Sequence, residues 1–588
     1  MLAAAMLAAC ATSPPPRSPD AALNALVEEY FDRQLELSPM NATAIGDSRY
    51  DDRLDDSTSP GFREKVFGIE RAFLDRARQI DAAKLSPAAR ITYDIFVSER
   101  ELLLEGQKFH EEYMPFNQMT GLPMDLAVYG SGTGPQPFAT AKDYDRFLKR
   151  MREFPRWVDG AIALMRSGLA NGITVPRVAM AKVAPQLREI GAAQLEDNIF
   201  WAPVTAMPKE ISASDRKRIG DAYAAALTGE VLPAYVRLAD FIERDYLPAA
   251  RTTVGWSDLP DGQAWYRWRI RQATTMDMPA EEIHQLGLAE VARIRGEMLG
   301  VKEQVGFKGD LDAFFSHLEE DPKFYFTTED ELLGAYRDVK RRIDALLPKL
   351  FADFPKADYE IRPVEQFRAA SAAGASYQAP SADGKRPGIF YINTHNMKAQ
   401  PRFGLETLSL HEASPGHHFQ ISIQQELTDL PRFRRFNGYV SYSEGWALYA
   451  ESIGKELGLF TDPYQWYGRL SDEMLRAMRL VLDTGFHAKG WSREQGIKYM
   501  LDNSSMAESD VIAEVERYIV WPGQALGYKL GQLHISALRV KAEAELGSAF
   551  DVREFHSQVL RDGAVPMNVL TVKIDRWIEA KRPKRAVK

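Results

Sequence analysis

The most informative stretch of the sequence is Thr407-Leu408-Ser409-Leu410-His411-Glu412-Ala413-Ser414-Pro415-Gly416-His417-His418-Phe419-Gln420. In it, a His-Glu pair and a His-His pair lie on either side of a Pro-Gly pair. Proline cannot continue a regular helix, because it lacks the backbone N–H and its ring clashes with the carbonyl group four residues earlier, here that of His411. Gly416 gives the backbone extra freedom directly after the proline. The stretch therefore predicts a bulged or broken helical turn at Pro415-Gly416.

The histidines on either side of this turn indicate a transition-metal site. Histidines one helical turn apart share a face and can bind one zinc ion, while a glutamate beside the first lies close to that ion. Pro415 occupies the position one turn after His411, and a broken turn would return His417 to the same face. His418 is the alternative ligand, but in a straight helix it would lie about 10 Å along the axis from His411. His417 is therefore the predicted second ligand.

A glutamate near the start of a later helix is the predicted third ligand. Glu444 lies 27 residues after His417, within the run Ser441-Tyr442-Ser443-Glu444-Gly445-Trp446. Glutamate completes the ligand set in one class of catalytic zinc sites. The pattern Ser441-x-x-Glu444 is also a helix-capping box, in which both side chains satisfy the first backbone N–H groups. The two roles are compatible, because a buried ligand needs an ordered helix start.

The composition limits the partners and ligands that are available. The 588 residues carry a formal net charge of −9, which argues against nucleic acid as a partner because phosphate binding requires a basic surface. Cys10 is the one cysteine of the sequence, so no disulfide can form within the chain and no thiolate lies in its folded body. A metal ion, for which Zn2+ is the expectation, must then be bound by imidazole and carboxylate groups.

The N-terminus predicts a lipid anchor. Leu7-Ala8-Ala9-Cys10 resembles the lipobox of bacterial lipoproteins, in which a signal peptidase cuts before a cysteine that then carries a lipid. Residues 1–9 are interpreted as the signal peptide, although they contain no lysine or arginine, and residues 10–20 as the lipidated cysteine and a proline-rich tether. This interpretation places the protein in the bacterial cell envelope, periplasmic or surface-exposed. An alanine-rich start with a lone cysteine is the alternative.

Amphipathic helices dominate from residue 21 to the end of the chain. Apolar residues recur at spacings of three and four in segments 21–35, 140–167, 212–241, 280–305 and 329–350. The exception lies before the histidine stretch, where 377–380 and 388–393 predict two short strands around a turn at 381–384. The open edge of such a sheet can pair with an extended peptide. A surface hairpin is the alternative.

Several motifs together resemble a known family. They are the stretch 411–420, Glu444-Gly445-Trp446-Ala447-Leu448-Tyr449, Arg479-Leu480-Val481-Leu482-Asp483-Thr484-Gly485-Phe486-His487 and Pro522-Gly523-Gln524-Ala525-Leu526-Gly527-Tyr528. With residues 37–55, they resemble the bacterial domain-of-unknown-function family numbered 885, whose members are often described as lipoproteins. That family looks like a distant relative of the thimet-oligopeptidase and angiotensin-converting-enzyme class of helical zinc peptidases. The sequence departs from that class at the insertion around Pro415.

The resemblance implies a mostly α-helical, two-lobed, zincin-like architecture with a deep cleft and one small β-sheet. The N-terminal lobe is expected at about 21–275 and the metal-site lobe at about 276–588. Glu412 is then the general base, which takes the proton of the attacking water and passes it to the leaving amine.

Two further residues are candidates for catalysis. Tyr528 resembles the late tyrosine that stabilises the oxyanion in related peptidases, and a core tyrosine is the alternative. His487 forms a polar stripe with Arg476, Arg479 and Asp483 at helical spacing. The stripe is either a surface ladder of salt bridges or the wall of a buried cleft. In the second case His487 could donate to the oxyanion, and an arginine could bind a substrate carboxylate.

These features predict a zinc metallopeptidase that hydrolyses short peptides, because helical lobes around a narrow cleft exclude folded proteins. The choice between an oligopeptidase and a carboxypeptidase stays open. One alternative is a non-catalytic envelope lipoprotein with a degenerate metal site, although such a module has no need for Glu412. A zinc amidase acting on cell-wall peptides is another alternative.

Overall fold

The computed structural model describes residues 18–364, 374–380 and 386–582. Cys10, the predicted signal peptide and most of the predicted tether lie outside these ranges, as does the predicted turn at 381–384. Within the described ranges, no helix has the length and apolar character that a bilayer span requires.

The described chain is mostly α-helical, as the sequence predicts. Its first part contains α1 (Pro19–Leu37), α2 (Pro39–Ala44), α3 (Phe62–Arg78), α4 (Pro87–Glu105), α5 (Leu122–Gly130), α6 (Ala141–Met151), α7 (Phe154–Asn171), α8 (Arg177–Ala192), α9 (Ala202–Thr205), α10 (Ala213–Ala226), α11 (Leu232–Phe241), α12 (Leu247–Ala249), α13 (Gly262–Thr274), α14 (Ala280–Gln304), α15 (Leu311–Glu320) and α16 (Glu329–Leu346). Its second part contains α17 (Leu405–Glu412), α18 (His417–Glu426), α19 (Arg432–Arg435), α20 (Val440–Ser452), α21 (Gly454–Leu457), α22 (Pro463–Lys489), α23 (Arg493–Asn503), α24 (Glu508–Val520), α25 (Leu526–Leu546), α26 (Val552–Leu560) and α27 (Met567–Lys581).

Local chemistry explains where the predicted helices begin and break. Segment 140–167 forms two helices, α6 and α7, with Pro155 in the first turn of α7, where its missing N–H has no helical partner to lose. α16 begins as predicted, because the Thr328 side chain accepts a hydrogen bond from the backbone N–H of Glu331. It ends in a 3-10 turn at Leu347–Lys349, slightly before the predicted boundary.

A three-stranded sheet precedes the histidine stretch in the described chain. Its strands are β1 (Tyr359–Pro363), β2 (Ala375–Gln378) and β3 (Gly388–Ile392), in the order β1-β3-β2. β3 pairs antiparallel with β2, which confirms the two predicted strands, and parallel with β1. β1 was not predicted, because it is short, ends in proline and buries its side chains at two alternating positions only, Tyr359 and Ile361. β2 is an edge strand of this sheet and lies against α17 and α18.

The buried apolar side chains form several clusters. In one of them, every buried member lies between Met40 and Ala250. Another joins the N-terminal helices to the C-terminal half, since it contains Leu23 of α1 and Phe96 of α4 together with Trp446 of α20. The N-terminal helices therefore support the part of the fold that contains the histidine stretch.

Helices α20 and α25 cross in near backbone contact. A Cβ atom on Gly531 would lie 1.9 Å from the carbonyl oxygen of Ser441, and one on Gly445 would lie 2.6 Å from the Cα of Gly531. One turn earlier on α25, a Cβ atom on Gly527 would lie 2.8 Å from the Val440 side chain. The earlier residue of α25, Gly527, contacts the start of α20, and the later residue, Gly531, contacts α20 as far along as Gly445. The two helices therefore run in the same direction where they cross.

Replacing Gly531 with alanine is expected to destabilise the fold, because the added Cβ would overlap the backbone of α20. We expect the free energy of unfolding to fall by about 1–3 kcal/mol, the usual cost of overpacking, despite the higher helix propensity of alanine. Gly296 of α14 is the matched control, since no neighbouring group lies within 4 Å of the place its Cβ would take. Gly296→Ala should stabilise the protein by up to about 1 kcal/mol. Denaturant titration measures both changes, and equal stabilities would contradict the close crossing.

Candidate metal centre

A break between two helices separates the two histidines of the candidate centre. α17 ends at Glu412 and α18 begins at His417, so the interruption predicted at Pro415-Gly416 is present. A Cβ atom on Gly416 would lie 1.9 Å from the carbonyl oxygen of His411, so the chain can fold back this closely only at a glycine. The indole N–H of Trp446 donates to the carbonyl oxygen of Pro415 at 2.8 Å and thereby fastens the turn to α20.

The break brings together His411, His417 and Glu444, which come from three different helices. One potential ligand atom of each residue lies within 4.8 Å of the other two. Oε2 of Glu444 is 3.5 Å from Nε2 of His411 and 3.5 Å from Nε2 of His417. The two imidazole rings are nearly perpendicular, at 89°, with their centroids 4.8 Å apart. Three ligand-type atoms therefore face one small volume.

Glu444 does not act as a helix cap. α20 begins at Val440 with Tyr439 at the N-cap position, and no side chain caps this helix start in the described chain. Ser441 lies inside the helix, so the capping box that the sequence allowed for Ser441 and Glu444 is not formed. The carboxylate of Glu444 faces the two histidines instead.

The donor set fits a divalent cation of the zinc type. Two imidazole nitrogens and one carboxylate oxygen are the protein ligands of one class of catalytic zinc sites, in which a fourth position remains open. Oε2 of Glu444, which lies between the histidines, is buried and accepts no hydrogen bond from any described residue. A buried carboxylate oxygen without a partner costs free energy. A cation at this point would remove that cost.

The pKa values of the centre also favour a positive charge there. Burial by itself would lower the pKa of His411, but the carboxylates of Glu444 and Glu451 outweigh it and raise the pKa to about 10. Burial would raise the pKa of Glu444, but the nearby charges of His417 and His411 hold this pKa well below its usual value. The carboxylates of Glu444 and Glu451 therefore favour positive charge at this point of the fold.

The second nitrogen of His411 is held by a carboxylate that was not predicted from the sequence. Nδ1 of His411 lies 2.6 Å from Oε1 of Glu451, which is buried in α20. Metal-binding histidines are usually oriented by such a contact, which here turns Nε2 towards Glu444. Glu451 follows Glu444 by seven residues, so both lie on the same face of α20, two turns apart. This seven-residue spacing is the sequence signal that could have identified Glu451.

His418, the alternative ligand, is turned towards the sheet. Its Nδ1 lies 2.8 Å from the hydroxyl group of Tyr377 in β2, and its Nε2 lies 3.1 Å from the carbonyl oxygen of Ala357. Burial lowers the pKa of His418 to about 4. Both ring nitrogens are engaged, so His418 ties α18 to the sheet, whereas His417 is the histidine that faces Glu444.

Glu412 lies beside His411 at the end of α17. Its side chain is half-buried, and it forms no hydrogen bond or ion pair with any residue that the structure describes. Its negative charge acts on His411 and on Tyr336 of α16. A half-buried carboxylate without a partner, next to a potential metal ligand, is well placed to accept a proton.

The crossing of α20 and α25 places Tyr528 on the same side as Glu444. Glu444 directly precedes the contact residue Gly445, Tyr528 directly follows the contact residue Gly527, and each residue step turns a helix by about 100°. In two parallel helices, the residue before the contact residue of one helix and the residue after the contact residue of the other lie on the same side of the interface. The Tyr528 hydroxyl oxygen accepts a hydrogen bond from Arg517 at 3.2 Å. Its own proton therefore remains available for another acceptor.

Backbone groups of Trp256 and Tyr518 engage both ring nitrogens of His487. It is fully buried, its Nδ1 accepts from the backbone N–H of Trp256 at 3.2 Å, and its Nε2 lies 2.9 Å from the carbonyl oxygen of Tyr518. Burial lowers the pKa of His487 to about 3. Because both ring nitrogens are used, these contacts favour a structural role over the oxyanion donor expected from the sequence.

The rest of the predicted polar stripe also faces inward on α22. Asp483 is fully buried and accepts from the backbone N–H of Gly523 at 3.0 Å. The side chains of Arg479 and Arg476 are 5% and 12% exposed. The stripe is therefore the buried arrangement of the two that the sequence allowed, and not a surface ladder.

A family model described as "Bacterial protein of unknown function (DUF885)" matches residues 39–574. Among solved structures, the chain is similar to a candidate lipoprotein from Colwellia psychrerythraea, with a TM-score of 0.85 and 31% identity over 96% of this chain and 100% of that one. A candidate lipoprotein of unknown function from Shewanella oneidensis shares the fold, with a TM-score of 0.76 and 17% identity over 95% of this chain and 99% of that one. No curated protein matches the chain.

Glu451→Gln is expected to weaken zinc binding without abolishing it, because the three ligands remain while His411 loses the carboxylate that orients it. Changes to such outer partners typically reduce metal affinity about 10- to 100-fold, which competition with a zinc-binding dye measures. Glu406→Gln is the matched control, since Glu406 is a buried carboxylate of α17 that bonds to Phe460 and Arg342 instead of His411. Unchanged affinity in Glu451→Gln would refute the orienting role.

Proposed function

The chain belongs to the DUF885 family of bacterial proteins, and we propose that it is a zinc-dependent hydrolase of short peptides. The observation that carries this proposal is the convergence of His411, His417 and Glu444 beside the unpaired carboxylate of Glu412. Two histidines and a glutamate leave a position open on zinc, as a catalytic site requires. A module that only binds a ligand has no need for a proton acceptor at that position.

The chain supplies the remaining groups that peptide hydrolysis needs. Zinc bound by the three ligands would act as a Lewis acid that polarises the scissile carbonyl group and makes water more acidic. Glu412 accepts the proton of the attacking water and delivers it to the leaving amine. Tyr528, whose hydroxyl oxygen is held by Arg517, donates a hydrogen bond to the carbonyl oxygen as its negative charge develops.

The position of β2 supports a peptide as the substrate. This edge strand lies against α17 and α18, the helices that carry His411 and His417. Within the described chain no strand pairs with its outer edge, and an extended peptide that paired there would run past the centre with its backbone held by hydrogen bonds. We also propose that the chain is distantly related to the thimet-oligopeptidase and angiotensin-converting-enzyme class. This relationship implies a two-lobed, zincin-like arrangement around a cleft.

We further propose that a lipid on Cys10 anchors the protein in the bacterial cell envelope. The support is the motif Leu7-Ala8-Ala9-Cys10 and the similarity at 31% identity to a candidate lipoprotein. The membrane is then a partner only through this anchor, which leaves the folded chain in the aqueous compartment beside it.

Glu412→Gln tests the catalytic assignment. The exchange keeps the size of the side chain but removes the basic carboxylate, so turnover should fall by at least about 100-fold, the low end for general acid–base catalysis. Zinc content should stay unchanged, because all three ligands remain. Activity is measured on a library of short peptides and cell-wall fragments, with Glu360→Gln on the exposed face of β1 as the matched control.

Two outcomes of this experiment would contradict the assignment. Loss of zinc in Glu412→Gln would make Glu412 a ligand instead of the base. Full peptidase activity in that variant would place the catalytic site elsewhere in the chain. If the unmodified protein acts on cell-wall fragments alone, its proposed function becomes that of an amidase at the same centre instead of a peptidase.

The lipid anchor has a separate test. Mass spectrometry of the protein from its native bacterial host is expected to find a chain that begins at Cys10 and carries the additional mass of a lipid. A Cys10→Ser variant should lack this mass and leave the membrane fraction. An unmodified N-terminus at Met1 would contradict the proposed anchor.

A further inference from the structure

We propose that Arg476 binds the α-carboxylate at the C-terminus of the peptide substrate, which makes the enzyme a carboxypeptidase. This inference rests on the proposed peptide hydrolysis and names its substrate class, short peptides with a free C-terminal acid. It resolves the choice between terminal and internal cleavage that the sequence leaves open.

The guanidinium group of Arg476 is only partly used by the fold. Its Nη1 donates to the carboxylate of Asp472 at 2.9 Å and to the carbonyl oxygen of the same residue at 3.2 Å. Among the described residues, Arg476 makes its hydrogen bonds through Nη1 alone, and its buried Nε lacks a partner. The side chain remains 12% exposed. Arg476 therefore retains donors for a ligand, and an arginine donor without an acceptor is costly in a partly buried position.

Arg476 lies close to the candidate metal centre. Its charge acts on Glu451, the partner of His411, and on Tyr528. Asp472, one turn earlier on α22, lies within reach of the charges of Glu451 and His411. α22 packs against both α17 and α25. The helix that carries Arg476 thus packs against the helix of the proposed base and the helix of the proposed oxyanion donor.

Arg479, one turn after Arg476, makes more protein contacts than Arg476, and among its guanidinium nitrogens only the buried Nη1 lacks a partner in the described chain. Its Nε donates to the hydroxyl group of Tyr518 at 3.0 Å, and its Nη2 donates to Glu514 at 3.0 Å. Its guanidinium group lies 4.3 Å above the ring of Tyr528, a favourable cation–π arrangement. Arg479 therefore packs on Tyr528 and adds positive charge, whereas Arg476, which bonds through Nη1 alone, keeps two nitrogens for a ligand where Arg479 keeps one.

A carboxylate is the ligand that this environment favours. The planar guanidinium group presents parallel N–H donors that match the two oxygens of a carboxylate. A C-terminal amide is neutral, and its NH2 group would place donors against the donors of Arg476. The site therefore selects a free C-terminus over a blocked one and directs cleavage to the adjoining peptide bonds.

The experiment compares peptides that differ only in a C-terminal acid or amide. Binding is measured with zinc-loaded Glu412→Gln protein, in which peptides stay intact, and cleavage with the unmodified protein. We expect the acid to bind at least about tenfold more tightly than the amide, the lower range for a hydrogen bond to a charged group. Adding Arg476→Met should remove this preference. Equal binding of acid and amide, no binding of either, or a preference that survives Arg476→Met would overturn the proposal.

Two further variants keep the result interpretable. Arg476→Met leaves Asp472 without its partner, so Arg476→Met/Asp472→Asn serves if the single variant does not fold, and it should lose the acid preference equally. Arg469→Met is the matched control, because it removes an arginine two turns earlier on α22 whose partner Glu473 retains Lys529. It should keep the preference. An acid preference in a protein that cleaves neither peptide would leave the carboxylate site standing and refute the proposed hydrolysis.

Discussion

Three potential ligand atoms from three helices meet within a few ångströms, and the chain satisfies this constraint by breaking a helix. In a continuous helix, His417 would lie about 9 Å further along the axis than His411 and on another face. The return of the chain at Gly416, directly against the carbonyl oxygen of His411, removes that separation. The hydrogen bond from Trp446 to Pro415 then fixes the turn against the helix that carries Glu444. The geometry of the centre therefore depends on this turn and on everything that holds α20 in place.

The charges around the centre are arranged in pairs that face inward. Glu444 lies between the two histidines, and Glu451 contacts Nδ1 of His411. Asp472 forms an ion pair with Arg476. Buried carboxylates are stable only when cations or hydrogen-bond donors accompany them. Oε2 of Glu444 is one of the buried carboxylate oxygens that accept no hydrogen bond within the described chain. A divalent cation would compensate the negative charge of this carboxylate. The buried charges of the fold and the proposed zinc chemistry therefore both call for a cation at this point.

The parts of the fold that follow from local chemistry were predictable from the sequence. Proline and glycine stereochemistry predicted the break after Glu412, and alternation with turn residues predicted β2 and β3. The contacts of His487 were not predictable in this way, because one of its partners, Trp256, lies 231 residues away in the sequence. Helical spacing correctly grouped His487 with the arginines of α22, but spacing cannot reveal which distant backbone groups cover a side chain. Glu451, in contrast, was within reach, since it shares a helix face with Glu444.

The central claim is that His411, His417 and Glu444 bind one zinc ion, and anomalous X-ray diffraction at the zinc absorption edge tests it most directly. Crystals of the zinc-loaded protein should show a single strong anomalous peak at about 2.0–2.2 Å from Nε2 of both histidines and from a carboxylate oxygen of Glu444. A peak coordinated by His418 in place of His417 would contradict the ligand assignment. The absence of any peak between the two histidines at saturating zinc would contradict the metal centre itself.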